Sequence, residues 1–507
     1  MNKRISTFLM GLMIMVLVLT VFFSSCSNGS VEQTGTSDSN TATETGENNN
    51  SENPNSTTPG TPTGNGQSGE IEVDLPVNRD IKGTVRYAVR DTVAYQTDEL
   101  IEYFNIMYPN IKVELEEFSG DLNTALTNWA AAKKMPDVVL GWDNLSYFAV
   151  QGWLYPLDEF LNKDAEKQYI NKTSLDNFMY EGKTYAVPAW LQFSTIVVNL
   201  DLVDALNMDP PDYDWTIDEF VRMAKKASTT TYSGINHIES LDEKLMQQLL
   251  KKEHQWGYDP ATKKFNLTDG SFTEAVKITD DLLKYPQLVA DALRNNDIVS
   301  SGGQDDYAKK FGSQTDGLSG GKILFANQST WDDEWMYQQF KFKWDYYPIP
   351  AKTKGDSKQV VHADYGIMLS SAKDPAAAFE LLKFFTYGKD GLLVRMEQQS
   401  KKNYQNNRFT IPPSSHPEVY EKFNSSSKVP DGVKYMYNNM EKSVKGDFSK
   451  ILPDYWAAIN DPLYDSRQRI GKGEDAASVA KETEKKINEN FSDAYKKFVA
   501  DFKKVQK

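Results

Sequence analysis

Residues Gly83-Thr-Val-Arg-Tyr-Ala-Val89 form the first of three predicted strands that alternate with helices. Their β-branched and aromatic side chains are typical of strands. Apolar residues then recur three and four positions apart from Leu100 to Tyr108, which predicts a helix ended by Pro109. The next strand, helix and strand are predicted at 111–115, 122–134 and 136–140. Strands that alternate with helices imply a parallel sheet.

The remaining chain keeps this pattern, so the predicted fold class is α/β. Strand-like runs follow at 195–198, 321–325, 346–350 and 365–369. Thr216, three residues before Glu219, is expected to form a capping box at the start of a helix. A final amphipathic helix has an apolar stripe made of Ile487, Phe491, Tyr495, Phe498 and Phe502.

Two loops follow neighbouring strands of the predicted parallel sheet. Arg90 and Asp91 come after the first strand, and Gly141, Trp142 and Asp143 come after the third. In open sheets of this kind, ligands bind beyond the carboxyl ends of the strands. We therefore expect both loops to face one cleft.

Composition excludes several classes of protein. A chain of 507 residues is long enough for two or three domains with their own cores. The single cysteine cannot form an internal disulfide, a thiolate zinc cluster or a redox pair. A formal charge of -15 argues against a broad nucleic-acid surface, because such a surface needs clustered Lys and Arg.

Residues 1–25 are predicted to be an export signal. Lys3 and Arg4 precede an apolar stretch from Phe8 to Phe23, which two serines and Cys26 close. The end of this stretch resembles a bacterial lipobox, and by that resemblance Cys26 would be lipidated and become the mature N-terminus. The alternative is an uncleaved anchor with an idle cysteine. Both interpretations place the rest of the chain outside the cytoplasm.

Residues 26–80 are predicted to be a disordered tether. Of the 43 residues from Ser27 to Gly69, 34 are Ser, Thr, Asn, Gly or Pro. Such a segment cannot bury enough apolar surface to offset its conformational entropy. It would hold a folded domain close to a membrane while letting that domain turn.

Several motifs occur in an order that resembles the family 1 extracellular solute-binding proteins of bacterial ABC importers, the group that includes maltose-binding protein. The motifs are Met135-Pro-Asp-Val-Val139, Ala149-Val-Gln-Gly-Trp-Leu-Tyr-Pro-Leu-Asp158, Tyr185-Ala-Val-Pro188, Asn199-Leu-Asp201, Trp215-Thr-Ile-Asp-Glu-Phe220, Gly321-Lys-Ile with Trp331, and Ala377-Ala-Phe-Glu-Leu-Leu-Lys-Phe-Phe385. The resemblance covers nearly everything from Gly83 to Lys507.

The resemblance implies a fold of two α/β lobes that close on a sugar or a similar solute. Each lobe would be a mainly parallel sheet flanked by helices, and hinge strands would join the two. Lobe one would comprise 82–191 and 351–425, and lobe two would comprise 192–350 and 426–507. The hinge crossings would lie near 191–192, 347–350 and 423–427.

A sugar site needs aromatic platforms for the C–H faces of the rings and polar groups for the hydroxyls. By the resemblance, Trp142 and Asp143 lie in a loop that contacts the ligand. Trp142 could instead cover the lobe edge, and Asp143 could cap the next helix. Trp331 matches the position where the family commonly places a stacking aromatic, and its alternative is packing against Trp335.

Further candidates come from other segments. Tyr455 and Trp456 resemble another stacking position of the family, with core packing as the alternative. Trp190 and Gln192 flank a predicted hinge crossing, where side chains touch ligand only in the closed state.

Three further candidates are charged. Arg90 and Asp91 could contact the ligand or could pair with each other at the surface. Asp364 could reach the cleft from the strand that precedes Tyr365.

No segment carries a catalytic or metal-binding signature. Gly317-Leu-Ser-Gly-Gly321 fits the pattern G-x-S-x-G, but a nucleophile elbow needs a strand before the serine and a helix after it. A polar loop precedes this serine and a strand-like run follows it. The four histidines show no metal-ligand spacing. We therefore expect no enzyme activity, no cofactor and no metal.

Together these features predict a lipid-anchored monomer on the extracellular face of the bacterial cell membrane. It would capture a carbohydrate, in particular an oligosaccharide, and deliver it to ABC permease subunits. Two alternatives stay open, namely an extracellular carbohydrate-active enzyme and a sugar-sensing receptor with the same fold. No nucleic-acid partner is expected.

Overall fold

The computed structural model describes residues 79–91, 97–250, 255–294, 305–313, 315–401 and 409–506. The predicted export signal, Cys26 and the tether up to residue 78 lie outside these ranges. Within the ranges, no helix combines the length and the apolar character needed to cross a membrane.

The described residues form twelve strands, which include every strand predicted from the sequence. They are β1 (Gly83–Arg90), β2 (Ile111–Phe118), β3 (Val138–Gly141), β4 (Met179–Tyr180), β5 (Lys183–Thr184), β6 (Val187–Phe193), β7 (Thr195–Asn199), β8 (Ser233–Ile235), β9 (Ile323–Ala326), β10 (Trp344–Pro348), β11 (Gln359–Met368) and β12 (Ser443–Lys445). The run predicted at 365–369 is the end of the longer strand β11.

The helices fill most of the intervals between the strands. In the first half of the chain they are α1 (Thr97–Met107), α2 (Leu122–Ala132), α3 (Leu145–Val150), α4 (Asp158–Leu161), α5 (Lys172–Leu175), α6 (Leu200–Ala205), α7 (Ile217–Ala227) and α8 (Leu241–Leu249). In the second half they are α9 (Ser271–Lys284), α10 (Asp306–Phe311), α11 (Asp333–Gln339), α12 (Pro375–Phe385), α13 (Lys389–Ser400), α14 (Pro417–Ser425), α15 (Asp431–Asn438), α16 (Phe448–Ile451), α17 (Asp461–Gly471) and α18 (Ala476–Val505).

Six strands form the first sheet, in the order β12-β11-β3-β1-β2, with β6 also paired to β11. The parallel pairing of β1 with β2 and β3 confirms the expectation from the alternating pattern. β11 runs antiparallel to β3 and to β6. Helices α1 and α12 cover this sheet, since the Phe104 ring of α1 lies 5.5 Å from that of Phe384, and Phe385 lies 4.6 Å from Tyr87 of β1.

Four strands form the second sheet, in the order β10-β7-β9-β8. β8 and β9 are parallel, but β7 is antiparallel to both β9 and β10. The expectation of a mainly parallel sheet in each lobe is therefore wrong for this sheet. The connections explain the difference. Only Ser194 separates β7 from β6 of the first sheet, and β10 leads back to β11, so β7 and β10 run in opposite directions.

The chain passes between the two sheets at β6 to β7 and again at β10 to β11. Two of the predicted hinge crossings, 191–192 and 347–350, fall at these passages. β12 belongs to the segment 426–507 that was assigned to lobe two, yet it pairs with β11 of the first sheet. The lobe limits stay a prediction, and β12 marks one further return of the chain to the first sheet.

Helix α18 packs against residues from both predicted lobes. The Phe491 ring lies 5.3 Å from Phe265, and the Phe502 ring lies 5.6 Å from Tyr185. The Tyr185 hydroxyl also contacts the Gln506 side-chain oxygen at 3.2 Å. The predicted apolar stripe is confirmed, because Ile487, Phe491, Phe498 and Phe502 are buried and Tyr495 is partly buried.

Candidate ligand-binding cavity

A cavity of about 1440 Å³ lies beside the paired strands β6 and β11 of the first sheet. Side chains alternate between the two faces of a strand. Trp190 and Gln192 of β6 point into the cavity, as do His362 and Asp364 of β11. The strand register places Trp190 opposite Asp364 and Gln192 opposite His362. The intervening Leu191 is buried in the core, so these four side chains form a continuous polar floor.

A chain of polar contacts fixes the side chains of this floor. The Trp190 Nε1–H group donates to Asp364 Oδ2 at 2.6 Å. The Lys450 ammonium donates to Asp364 Oδ1 at 2.6 Å and lies 3.4 Å from Asp447 Oδ1. Asp447 Oδ1 is also 3.0 Å from His362 Nδ1. The floor is therefore organised before any ligand arrives.

The ionisation of Asp447 and Lys450 follows from this geometry. Burial alone would raise the pKa of Asp447, but the Lys450 ammonium and the His362 ring hold that pKa below its usual value. Burial would lower the pKa of Lys450, but the carboxylates of Asp364 and Asp447 raise it to about 12. Both groups are charged at neutral pH.

Ser194, His362 and Asp447 have the connectivity of a hydrolytic triad, because Ser194 Oγ lies 2.9 Å from His362 Nε2. Such a triad also needs backbone N–H donors for the oxyanion. The N–H groups of Phe193, Ser194 and Thr195 are already donated, to Thr330 Oγ1, the Val360 carbonyl and the Gln328 carbonyl. Ser194 is also only 4% exposed. The arrangement orients His362 and does not assemble an acyl-transfer site around Ser194.

Trp331 lies on the cavity wall in a short 3-10 helix (Thr330–Asp332). Its side chain is 49% exposed, and its ring meets the His362 ring edge-on at 5.1 Å. The preceding Thr330 hydroxyl donates to Gln192 Oε1 at 2.6 Å, which ties this helix to β6. Trp335 is 41% exposed and contacts Phe340, so the two tryptophans do not bury each other in the core.

Trp142 also lines the cavity, whereas Arg90 and Asp143 lie behind it. The Arg90 guanidinium lies 4.1 Å from the Trp142 ring centre and 2.8 Å from Asp143 Oδ2. Such a cation against the ring face stabilises its orientation. Asp143 Oδ1 accepts from the Leu122 N–H at the start of α2. Arg90 and Asp143 therefore support Trp142 from behind the cavity wall, and their contacts with ligand stay a prediction.

One alternative for this loop is wrong, and Asp91 lies away from the cavity. Asn144, not Asp143, caps helix α3, because its side chain accepts from the Ser146 N–H. Asp91 lies outside the cavity wall and accepts from the Ser119 hydroxyl at 2.7 Å. Burial in this loop raises the pKa of Asp143 although Arg90 opposes the shift.

Tyr455 and Trp456 both reach the cavity but differ in burial. Tyr455 is 5% exposed, and its hydroxyl lies 3.4 Å from the Trp256 indole nitrogen. Trp456 is 62% exposed and meets Tyr455 edge-on at 5.5 Å. The core-packing alternative therefore describes Tyr455, while Trp456 presents a free ring face.

Residues 91–386, more than half of the chain, match the family described as bacterial extracellular solute-binding protein. The chain belongs to this family. A curated binding protein of Brucella abortus is 24% identical over 326 residues, which cover 61% of this chain and 75% of the relative.

Solved structures support the same fold. An ABC substrate-binding protein of Listeria monocytogenes, in complex with cycloalternan, has a TM-score of 0.59 and 18% identity over 81% of this chain and 99% of its own. The sugar-binding protein MalE of Xanthomonas citri has a TM-score of 0.61 and 15% identity over 82% of this chain and 99% of its own. The two-lobed α/β fold class is confirmed.

The solute-binding protein has a second cavity wall that sequence reasoning missed. Glu243 and Lys244 lie at the start of α8 and line the cavity. Burial raises the pKa of Glu243 to about 7 and lowers the pKa of Lys244 to about 8. The Lys244 ammonium donates to Asn327 Oδ1 at 2.7 Å, and Gln255 donates to Glu243. In the sequence, Glu243 and Lys244 resemble any surface acid and lysine, and only the fold shows that they line the cavity.

The wall continues onto α17, where Tyr464 is 61% exposed and Arg467 pairs with Asp242 of α8. No pattern in the sequence marked these residues.

Within the described ranges, no group of three or more His, Cys, Asp or Glu side chains is arranged to hold a metal ion.

Proposed function

We propose that this solute-binding protein captures an oligosaccharide in the cavity and delivers it to an ABC importer. The observation that carries the proposal is the convergence of four tryptophans, Trp142, Trp190, Trp331 and Trp456, on one cavity. Indole faces suit the C–H faces of sugar rings, and the carboxylates and amides between them suit hydroxyl groups. The neighbouring structures named for sugars support the same ligand class.

The size of the cavity favours an oligosaccharide over a single sugar or an ion. Sites for drug-sized ligands typically enclose about 300 to 1,000 Å³. The cavity of about 1440 Å³ is larger than that range. Several sugar rings therefore have room between the walls.

The groups on the floor favour binding without turnover. A glycosidase needs one carboxylic acid and one carboxylate flanking the scissile bond. On the floor, the Lys450 ammonium contacts both Asp364 and Asp447, and it helps to hold the pKa of Asp447 below its usual value. Asp447 is therefore unsuited to act as the proton donor, and the pairing of the floor carboxylates with a cation favours a binding role.

The proposal includes the location of the protein. Lipid on Cys26 would hold the chain, as a monomer, at the extracellular face of the cell membrane, and residues 26–80 would tether it there. Replacing Cys26 by Ser should move the protein from the membrane fraction to the medium or periplasm. Retention in the membrane fraction would contradict the lipid anchor and favour an uncleaved signal. A sensing role in place of import stays the second alternative.

A thermal-shift panel tests the ligand class. The panel would contain neutral oligosaccharides, monosaccharides, amino acids, peptides and metal ions, with chromatography of each sugar afterwards. A ligand at 100 times its dissociation constant adds about 2.7 kcal/mol of stability. We expect only sugars to raise the melting temperature and to be recovered unchanged. A shift produced only by amino acids, peptides or ions, or hydrolysis of any sugar, would contradict the proposal.

A further inference from the structure

One wall of the cavity is a single helical face with an alternating composition. Trp456 and Asn460 belong to a π-helical turn (Trp456–Asn460), and Tyr464 and Gln468 belong to helix α17. All four side chains line the cavity, at a spacing of four residues. Aromatic rings and side-chain amides therefore alternate along this face.

The π-helical turn helps to keep these residues on one face. In an α-helix of 3.6 residues per turn, positions four apart drift by about 40° around the axis. A π-helix holds more residues per turn, so the step from Trp456 to Asn460 drifts the opposite way. The twelve steps from Trp456 to Gln468 rise about 18 Å at ~1.5 Å per residue. The row is therefore longer than one sugar ring, and the π-helical step offsets part of the drift of the two α-helical steps.

Exposure marks the two aromatic residues of this row as unusual. Trp456 is 62% exposed and Tyr464 is 61% exposed, the two highest values among the large hydrophobic side chains of the described residues. Exposed apolar side chains that line a groove are typical of binding surfaces. The helix beneath them is firmly held, because Leu463 is fully buried and Arg467 pairs with Asp242. The rings are thus presented on a rigid support.

We propose that Asn460, Tyr464 and Gln468 extend the cavity along α17 as a track for further units of a linear oligosaccharide. This inference rests on the proposed function and names its ligand more closely. Trp456 and Tyr464 would stack on rings, and the amides of Asn460 and Gln468, which can each donate and accept, would bind the hydroxyls between them. The protein therefore selects its ligand by chain length.

The test measures dissociation constants by calorimetry for a disaccharide and its longer homologues. The wild type should bind the longer homologues more tightly than the disaccharide. Tyr464→Ala should weaken binding of the long homologues by about tenfold, the loss typical of one well-placed aromatic contact, and leave the disaccharide unaffected. Gln468→Ala should act in the same direction with a smaller effect.

The matched control is Tyr420→Ala, because Tyr420 of α14 is 42% exposed and lies outside the cavity wall. It should bind every homologue like the wild type. Equal wild-type affinity for all lengths would overturn the track and leave the proposed function intact. Equal weakening of short and long sugars by Tyr464→Ala would also overturn it. Disaccharide binding by the wild type reports separately on the proposed function, and if no sugar of any length binds, both proposals fail.

Discussion

Lys450 is the cation on which the cavity floor depends. It contacts Asp364 at 2.6 Å and Asp447 at 3.4 Å, and the Asp447 side chain is only 1% exposed. Removing one partner of a buried pair leaves the other charge uncompensated and costs about 3 kcal/mol or more. Lys450→Met should therefore lower the free energy of unfolding by about 3 kcal/mol in urea titrations. Lys450→Arg, which keeps the charge, should lose much less.

A Lys450→Met variant as stable as the wild type would show that the Ala363 N–H and His362 satisfy Asp447 without help.

The same variant also tests how Trp190 is held. Its indole donates to the carboxylate that Lys450 fixes. A shift in tryptophan fluorescence in Lys450→Met, absent in Lys450→Arg, would report the release of Asp364.

Glu243 should make stability depend on pH in a predictable direction. Burial raises its pKa from the ordinary 4.5 to about 7, so the folded protein binds this proton more tightly than the unfolded chain. The resulting stability is full below the unfolded value of 4.5 and is lost as pH rises through 7. Between about pH 5 and pH 8, the wild type should lose roughly 3 kcal/mol relative to Glu243→Gln.

Denaturant titrations at several pH values measure this difference. Glu102→Gln, at an exposed position of α1, is the matched control. Its free energy of unfolding should change with pH in the same way as that of the wild type. A constant difference between wild type and Glu243→Gln across this range would show that Arg467 and Lys244, the cations that oppose the rise in its pKa, compensate its buried charge.

At the scale of single elements, the capping box of α7 was predicted from the sequence and is confirmed. Thr216 Oγ1 accepts from the Glu219 N–H, and the Glu219 carboxylate accepts from the Thr216 N–H at 2.8 Å. Losing such a cap typically costs about 1 kcal/mol. Thr216→Ala should lower the free energy of unfolding by that amount, and Thr216→Ser should be nearly neutral. Equal losses in both variants would assign the effect to packing of the Thr216 methyl group.

Element boundaries were largely predictable because they depend on neighbours along the chain. The spacing of Leu100 and Phe104, for example, is a property of one helix, and both residues are buried where α1 meets the first sheet. The direction of β7 was not predictable in this way. It depends on the single residue, Ser194, that joins β7 to the first sheet, and nothing in the composition of β7 records that connection.

The candidate site was partly predictable from local features. Family-like motifs led to Trp331 and Trp142, and a predicted hinge crossing led to Trp190 and Gln192. All four lie on the cavity wall. The pairing of Arg90 with Asp143 was not predictable, because the two residues are 53 positions apart. The contact of His362 with Asp447 spans 85 positions, and that of Lys450 with Asp364 spans 86. The fold brings such distant residues together, and no local charge pattern in the sequence predicts these pairs.

At the scale of the whole molecule, ligand binding should draw the two lobes together. Trp142 lies at the end of β3 in the first sheet, whereas Trp331 follows β9 of the second. One solute that contacts both rings favours the closed arrangement over the open one. Small-angle scattering should show a smaller radius of gyration when a bound oligosaccharide saturates the wild type.

Trp331→Ala should contract only at ligand concentrations about tenfold higher or more, because losing a desolvated aromatic platform commonly costs about 1.4 kcal/mol or more. Trp335→Ala, one helical turn away and outside the cavity wall, should contract like the wild type. An unchanged radius of gyration at saturating ligand would show that the sugar is held without closure. Normal contraction by Trp331→Ala would place the main platform at Trp190 or Trp456.

The position of helix α18 in the core bears on the order in which contacts form during folding. Aromatic rings of α18 pack against Tyr185 and Phe265, which lie far earlier in the chain. Tyr185 also contacts Gln506, which lies 321 positions later. Contacts of such long sequence separation form late, because the intervening chain must first lose its freedom. We therefore expect the packing of α18 against Tyr185 and Phe265 to be among the last steps of folding, completed only after nearly the whole chain has been synthesised.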